Sequence, residues 1–312
     1  MPLVHGEALS YSPLLYRPQA RWADVRAALV GDVTQPLSAR EETSERLEAC
    51  ARMLDEAFWF AAERLERARL DALIVLVADR GRVFDLRNTP QLHIFAGDEI
   101  WGDASLPALG ESPGPVKFSC DADLAAFISE ELASHGFDIS ETRGTFEPLG
   151  DPQRGAGAAF VEPVVRLTAG AGPRVIPIHI NAHVAPAITG HRMVAFGRAL
   201  ADALALTSKR VGILASGGLS GDPNGTLAGW IDDVLDRWIL ARLATGRSGD
   251  LGSIFDIESQ GLRGSTGEVR LWIAAGAAME HAGTLGRLAT YVPLHHAAVG
   301  TAFMHWGGSP WP

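Results

Sequence analysis

The stretch ALIVLVA at residues 72–78 is a continuous apolar run of strand length, and it ends abruptly at Asp79. Such a run is typical of a strand that is covered on both faces in the parallel sheet of an α/β protein. The preceding segment, 44–69, has apolar residues at helical spacing, with Glu and Arg on the opposite side. Its predicted apolar face contains Leu47, Met53, Leu54, Phe58 and Leu65. A helix that leads into a buried strand predicts a layered α/β fold.

Strands and helices continue to alternate along the rest of the chain. Further strands are predicted at 91–96, 174–186, 210–216 and 288–294, and the second of these breaks into a loop before its end. Further helices are predicted from Asp121 or Asp123 to about Ser134, and at 191–206, 226–243 and 267–283. Residues 139–173 are Gly-rich and weakly periodic, which predicts a long loop. Because no repeat or linker divides the chain, we expect one domain over residues 1–312, with a central, mostly buried sheet and helices on both sides.

Composition and charge exclude several classes of function. The chain has 312 residues, of which 47% are hydrophobic and 21% are charged, the balance of a folded globular protein. Its formal charge is −10 and no cluster of Lys and Arg stands out, so we expect neither nucleic acid nor a membrane as a partner. The two cysteines predict neither a disulfide framework nor a zinc site. With no secretory signal and no apolar run of the roughly 18 residues that a membrane span needs, the sequence predicts a cytoplasmic protein.

In layered α/β folds, ligands bind in the loops that follow the carboxyl ends of the strands. The loops that matter are therefore 79–90, 181–186 and 216–225, together with the residues before Glu268. The loop 216–225 begins Ser-Gly-Gly-Leu-Ser. This is not a phosphate-binding loop, because no Gly-Lys-Ser/Thr follows it. Its glycines favour a sharp turn whose backbone N–H groups face a ligand. A nucleophilic role for Ser216 or Ser220 would need a paired base, and the sequence shows none.

Four segments, in the same order along the chain, resemble those of one enzyme family. They are VADRGRVFDLRNTPQLHIFAGD at 77–98, RVIPIHINAHVAPAITGHRMVAFGRAL at 174–200, RVGILASGGLS at 210–220, and GSTGEVRLWIAAGAAM at 264–279 with YVPLHHAAVGTAFMHW at 291–306. Together they resemble the class III extradiol ring-cleaving dioxygenases, of the protocatechuate 4,5-dioxygenase beta subunit and 3-O-methylgallate dioxygenase type. The resemblance spans nearly the whole chain. It implies that family's layered α/β fold and a dimer or higher oligomer.

The resemblance also implies a site, and the chain departs from it. In the family, two histidines and a carboxylate hold Fe(II), and a further histidine transfers protons during ring opening. Tyr11 stands where the first ligand histidine follows a serine, and Arg80 lies in the turn that carries the second. Gly221 follows Ser220 where the family has its catalytic histidine. The carboxylate alone persists, as Glu268 at the start of its helix.

These replacements predict a site without iron, because one carboxylate cannot hold Fe(II) against water and a guanidinium repels a cation. If the turn keeps the family geometry, Arg80 takes the place of the metal, pairs with Glu268 and stabilises a phenolate or carboxylate ligand. The predicted catalytic residues are Glu268, Tyr11, His183 and Arg80, with no metal or other cofactor; Fe(II) is the alternative. The predicted substrate-binding residues are Asp79, Ser216, Gly217, Gly218, Ser220, His295 and His296.

Each candidate also has an ordinary structural interpretation. A carboxylate such as Glu268 is favoured at a helix N-terminus, and Tyr11 is equally well explained as a half-buried aromatic residue. His93 and His179 lie in predicted strands and are interpreted as packing residues, whereas His183 lies in a loop and is the first candidate for a replacement acid/base. Arg82 is interpreted as structural. Core or subunit-interface positions are predicted for Phe58, Trp59, Trp230, Trp238 and Trp272.

Three functional hypotheses remain open at this point. The first is a diverged enzyme that keeps a pocket for a small aromatic or phenolic molecule but transfers protons without iron. The second is a non-catalytic subunit or binding protein that pairs with an active dioxygenase subunit. The third is a working ring-cleaving dioxygenase with a rearranged Fe(II) site. A homo-oligomer or a partner dioxygenase subunit is the expected assembly.

Overall fold

The structure, a computed structural model, describes residues 2–84, 86, 88–144 and 155–307. Within these residues the strands are Leu3–Leu9 (β1), Ala72–Ala78 (β2), Leu92–Phe95 (β3), Glu99–Gly102 (β4), Val116–Ser119 (β5), Ser140–Thr142 (β6), Arg174–Ile180 (β7), Val211–Ser216 (β8), Gly286–Leu294 (β9) and Val299–Trp306 (β10). The α-helices there are Trp22–Val30 (α1), Ser44–Ala68 (α2), Ala122–Ser134 (α3), Ala158–Thr168 (α4), Gly190–Ala205 (α5), Asp233–Ala244 (α6) and Val269–His281 (α7). A short 3-10 helix, Gly264–Glu268, leads directly into α7. None of the described helices is long and apolar enough to cross a membrane.

One large sheet organises the chain, with the strand order β6-β3-β7-β2-β8-β1-β10-β9. Its centre, β7-β2-β8-β1, is parallel, while β3 and β10 run antiparallel to their inner neighbours. Strands β4 and β5 form a separate antiparallel pair. This is the layered α/β fold that the sequence predicts.

Strand β2 shows why the central sheet is buried on both faces. Successive side chains of a strand point to opposite sides, and in β2 both sets are apolar. Ile74 and Leu76 pack with α3, α5, α6 and α7 on one face, whereas Val75 and Val77 pack with α1, α2 and α4 on the other. Every residue of β2 is buried. The continuous apolar run at 72–78 is therefore the central strand of a three-layer structure, as predicted.

Several element boundaries agree with the sequence and others correct it. Helix α2 begins after Thr43, whose side chain accepts a hydrogen bond from the backbone N–H of Arg46, and Asp121 caps α3 in the same way. The long loop predicted over 139–173 is wrong where the structure describes it, because β6 and α4 lie there; residues 145–154 are outside the described part. The helix predicted from residue 226 begins seven residues later, at Asp233, where Asp232 supplies the cap.

The predicted apolar faces are correct except at their edges. On α2, Leu47, Leu54, Phe58 and Leu65 are buried, but Met53 is 36% exposed, so its assignment to the core face is wrong. Among the aromatic residues predicted for core or interface, Phe58 and Trp272 are buried. The exposed ones are Trp59, Trp230 and Trp238.

Candidate functional site

The carboxyl ends of β2, β7 and β8 lie side by side and bring the loops that follow them to one edge of the sheet. Ala78 on β2 is in register with Ile180 on β7, and Val77 is in register with Ser216 on β8. The loops that start at Asp79, Asn181 and Gly217 are therefore neighbours. The 3-10 helix Gly264–Glu268 meets them and contributes the one carboxylate that the family resemblance singled out.

The Asp79 carboxylate shapes the loop that presents Arg80. It accepts hydrogen bonds from the backbone N–H groups of the residues that follow, at 3.0 Å from Gly81, 2.9 Å from Val83 and 3.1 Å from Phe84. Gly81 has a φ of +82°, a conformation that L side chains rarely adopt. Asp79 lines the cavities described below, but its carboxylate is engaged with its own loop, so its role in the structure is to fix the turn.

Arg80 and Glu268 form an ion pair at the centre of the site. The Arg80 Nη2 and Nε atoms lie 2.6 Å and 2.8 Å from Glu268 Oε1, and Arg80 Nη2 also donates to Ser265 Oγ at 2.9 Å. The His183 Nε2 atom is 2.9 Å from the same Oε1, and the Gly218 backbone N–H donates to Oε2 at 3.0 Å. Of the four residues predicted to be catalytic, Arg80 and His183 thus both contact a third, Glu268.

This network decides the charge of Glu268. The side chain is almost fully buried, and burial alone would raise the pKa of its carboxyl. The neighbouring Arg80, His183 and Gly218 N–H outweigh burial and lower the pKa to about 2. Glu268 is therefore an anion throughout the physiological range, and its negative charge is matched by the guanidinium.

Two cavities meet at Asp79, Arg80 and His179. One has a volume of about 340 Å³ and extends past Phe84 and Asn181. The other, of about 230 Å³, extends between the Arg80 loop and the start of α4, and its lining includes Tyr11, Arg82, Asp103, Ser105 and Phe160. Both lie at the carboxyl ends of parallel strands, where α/β folds bind ligands.

Tyr11 lines the smaller cavity and contacts an acid that sequence reasoning missed. Its hydroxyl donates to Glu162 Oε2 at 2.8 Å, and Arg17 pairs with the other oxygen of Glu162. Burial raises the pKa of Glu162 to about 7, although Arg17 and Tyr11 act in the opposite direction. The available signal was a lone glutamate in the otherwise apolar sequence AAFVEPVV of α4. A buried acid of this kind is uncommon without a partner or a role.

The Ser-Gly-Gly-Leu-Ser residues that were predicted to bind substrate form hydrogen bonds with other residues of the protein. Ser216 Oγ donates to the Ala159 carbonyl at 2.6 Å, and the Gly217 carbonyl accepts a hydrogen bond from Trp272 Nε1 at 2.6 Å. Ser220 Oγ donates to Asp236 Oδ2 at 2.8 Å. Neither serine lines the two cavities. Of this group, Gly218 donates a hydrogen bond to the ion pair through its backbone N–H, and Gly217 packs against the Glu268 side chain.

The two C-terminal histidines do not line the Arg80 cavities. His295 Nδ1 is 2.8 Å from the Gly229 carbonyl, and its backbone N–H donates to Glu42. His296 contacts Glu42 through its Nδ1 atom and its backbone N–H. The linings of both cavities consist of other residues. The structure therefore does not bring His295 and His296 together with Glu268, Arg80 and Tyr11.

The side chains around Glu268 do not fit a ferrous ion bound in the way that the family resemblance implies. By the family resemblance, Tyr11 and Arg80 stand where the two ligand histidines are expected. In the structure, the Arg80 guanidinium lies within hydrogen-bonding distance of the remaining carboxylate. In the part of the chain that the structure describes, no group of three or more His, Cys, Asp and Glu side chains is arranged to hold a metal ion. We therefore derive no step through iron.

Comparison with known proteins gives the family of this fold and site. A family model described as the catalytic LigB subunit of aromatic ring-opening dioxygenase matches residues 64–304. A 2,3-dihydroxyphenylpropionate/2,3-dihydroxicinnamic acid 1,2-dioxygenase of Rhodococcus rhodochrous is 37% identical over 103 residues, which cover 32% of this chain and 30% of that protein. A protein of the same description from Mycolicibacterium smegmatis is 37% identical over 135 residues, which cover 41% of this chain and 38% of that protein. This chain thus matches less than half of the length of either relative.

The comparison with solved structures concerns the fold alone. A crystal structure of an uncharacterized protein from Escherichia coli K12 superposes with a TM-score of 0.52 and 11% identity, over 97% of this chain and 100% of that one. The family match covers the site as well as the fold, because residues 64–304 include the Arg80 loop, the Gly-Gly-Leu-Ser turn and Glu268. This chain therefore belongs to the LigB family, the class III extradiol, aromatic ring-cleaving dioxygenases.

Proposed function

We propose that this member of the family binds a small phenolic or aromatic-acid ligand in the Arg80 cavities and acts on it without Fe(II). The observation that carries the proposal is the Arg80–Glu268 ion pair. A buried carboxylate fixes the guanidinium, while 35% of the Arg80 side chain stays exposed where the two cavities meet. A fixed, permanently charged group that lines a cavity is suited to a phenolate or carboxylate, because such hydrogen bonds are charge-assisted.

The candidate residues divide into holding and proton-transfer roles. Glu268 holds Arg80, and a carboxylate with a pKa near 2 is a weak base at neutral pH. Tyr11 together with Glu162 is the better proton-transfer candidate, because Tyr11 lines the cavity and donates to Glu162, whose pKa is near 7. Burial and the Glu162 charge raise the pKa of Tyr11 well above its ordinary value, so the hydroxyl stays protonated and Glu162 is the group that takes up the proton. His183 is the second candidate, since it is a neighbour of the ion pair and about a fifth exposed. Isomerisation, decarboxylation and hydrolysis are the reaction classes that such groups support.

Ligand binding tests the proposal directly. The protein is treated with a chelator, and binding of protocatechuate and of 3-(2,3-dihydroxyphenyl)propionate is measured by isothermal titration calorimetry. We expect one site per chain, with an affinity that the chelator does not change. Arg80→Gln should weaken binding by at least about tenfold, the effect of losing one charge-assisted hydrogen bond. The matched variant Arg67→Gln, on the exposed side of α2, should bind as the wild type does.

Two results would overturn the proposal. One is binding that appears only after Fe(II) is added, together with oxygen uptake, which would show a working dioxygenase with a rearranged iron site. The other is equal affinity of the wild type and Arg80→Gln, which would show that the ligand does not use the guanidinium. Turnover by the chelated protein under anaerobic conditions would extend the proposal from binding to catalysis.

We also propose that the chain forms the homo-oligomer expected from the sequence, and exposed apolar residues on α6 favour this assembly. Val234 and Trp238 are four residues apart on this helix, so they share a face, and they are 74% and 37% exposed. Adjacent exposed apolar side chains of this size are typical of protein interfaces. We propose that this face associates with a second copy of the chain. Light scattering should give a dimer mass for the wild type and a monomer mass for Trp238→Glu; a monomeric wild type would contradict the association.

A further inference from the structure

A buried pair of histidines lies beside the Arg80 cavities. His179 on β7 and His93 on β3 are opposite each other in the antiparallel pairing of their strands, and their Nδ1 atoms are 3.4 Å apart. His93 Nε2 is 2.9 Å from Thr142 Oγ1, on the edge strand β6. The Phe84 ring packs edge-on against both imidazoles, with centroid distances of 4.7 Å and 5.7 Å. Burial agrees with the packing interpretation of these histidines, but His179 also lines both cavities.

Both imidazoles are neutral. Burial, together with the neighbouring His179, lowers the pKa of His93 to about 2. Burial also lowers the pKa of His179, against the opposing charge of Asp79. A neutral imidazole has one N–H and one lone pair, so in each ring one nitrogen donates and the other accepts.

The contact between the two Nδ1 atoms leaves only two arrangements. If His179 Nδ1 donates, His93 Nε2 carries a proton and donates to Thr142, and His179 Nε2 is an acceptor. If His93 Nδ1 donates, the Thr142 hydroxyl donates to His93 Nε2, and His179 Nε2 carries a proton. Because the Thr142 hydroxyl can accept or donate, both arrangements satisfy it, and His179 Nε2 is an acceptor in the first and a donor in the second.

The outer nitrogen of His179 has no partner in the described ranges of the chain, and it is not among the fully buried unpaired polar atoms there. It belongs to a residue that lines both cavities next to Arg80. We propose that His179 Nε2 recognises a neutral hydroxyl of the ligand, beside the anionic group that Arg80 binds. The inference rests on the proposed function, because it assigns a second contact to the same ligand. His179 stays neutral and acts only through a hydrogen bond, because burial disfavours the protonated imidazolium at this position.

Matched variants separate a neutral hydrogen bond from a packing role. The probe is protocatechuate, and its affinity is measured for the wild type, His179→Gln and His179→Leu. Glutamine is a neutral donor and acceptor, whereas leucine fills a similar volume without either. We expect about fivefold weaker binding for His179→Leu, the effect of one neutral hydrogen bond, and a change within about twofold for His179→Gln. Equal losses in both variants would overturn the inference.

Long-range ¹H–¹⁵N NMR spectra of the wild-type protein test the same inference and do not depend on whether a variant folds. The ring nitrogens of His179 should show a single neutral tautomer, and the Nε2 resonance should shift when protocatechuate binds. His281, which pairs with Asp202 on an exposed surface, is the internal control and should not shift. Bound probe with an unchanged His179 signal would overturn this inference and leave the proposed function standing. Absence of any binding would overturn both.

Discussion

Replacement of Glu268 by glutamine is expected to lower the free energy of unfolding by about 3 kcal/mol at pH 7. Glutamine keeps the volume and an oxygen for the Gly218 N–H, but it removes the charge that Arg80 and His183 contact. Burial raises the pKa of the wild-type carboxyl, yet these neighbours bring it from 4.5 to about 2, so the folded protein favours the ionised form. The Glu268→Gln variant has no ionisable group at this position and loses the stabilisation that the ionised carboxylate provides. Urea denaturation of both proteins measures the difference.

The pH dependence of this difference identifies its cause. A carboxyl whose pKa falls on folding stabilises the folded state above its unfolded pKa, and the stabilisation is lost as the pH drops through the folded value. The gap between wild type and Glu268→Gln should therefore be complete at pH 7, shrink below about pH 4.5 and close near pH 2. The control Glu41→Gln, in an exposed pair with Arg46, should cost less than about 0.5 kcal/mol. Equal stability of wild type and Glu268→Gln at pH 7 would contradict the ion pair.

Much of the central sheet follows from the sequence, because its inner strands are apolar on both faces. The runs at 72–78 and 210–216 agree with β2 and β8 to within a residue. Strand β1 was not predicted, although it lies between β8 and β10 in the same sheet. Its sequence LVHGEAL contains Glu7, which is buried and paired with Arg64 of α2 at 2.7 Å. A pattern that counts apolar positions does not recognise such a strand, because it cannot show that the charge of Glu7 is neutralised by a residue far away in the sequence.

The site was predictable only in part, for a similar reason. The pairing of Arg80 with Glu268 follows from the family resemblance, since it places both residues around the same metal position. The contact between Tyr11 and Glu162 joins residues that are 151 positions apart in the sequence, and no spacing rule connects them. His179 has the pattern of a packing residue in a buried strand, and its proximity to the cavities depends on how β7 lies beside β2. Tertiary contacts, absent from local patterns, decide these roles.

Replacement of Asp236 by alanine is expected to cost about 3 kcal/mol of unfolding free energy at pH 7. This fully buried residue in the first turn of α6 accepts hydrogen bonds from the Ser220 backbone N–H and Ser220 Oγ, both at 2.8 Å, and from the Tyr291 hydroxyl at 2.9 Å. Its loss leaves the buried Ser220 N–H without an acceptor, which is the most costly consequence. The exposed control Asp55→Ala, on α2, should change the stability by less than about 0.5 kcal/mol.

The pH dependence for Asp236 has the opposite sign from that for Glu268. Burial raises the pKa of Asp236 to about 6, although its hydrogen bonds with Ser220 and Tyr291 lower it. The wild-type protein therefore loses stability as the pH rises through 6, so Asp236→Ala should cost about 1 kcal/mol more at pH 5 than at pH 8. Chemical denaturation at both pH values measures this, and a larger cost at pH 8 would contradict it. Because Asp236 fixes the turn whose Gly218 N–H contacts Glu268, the variant should also loosen the Arg80 ion pair and weaken probe binding.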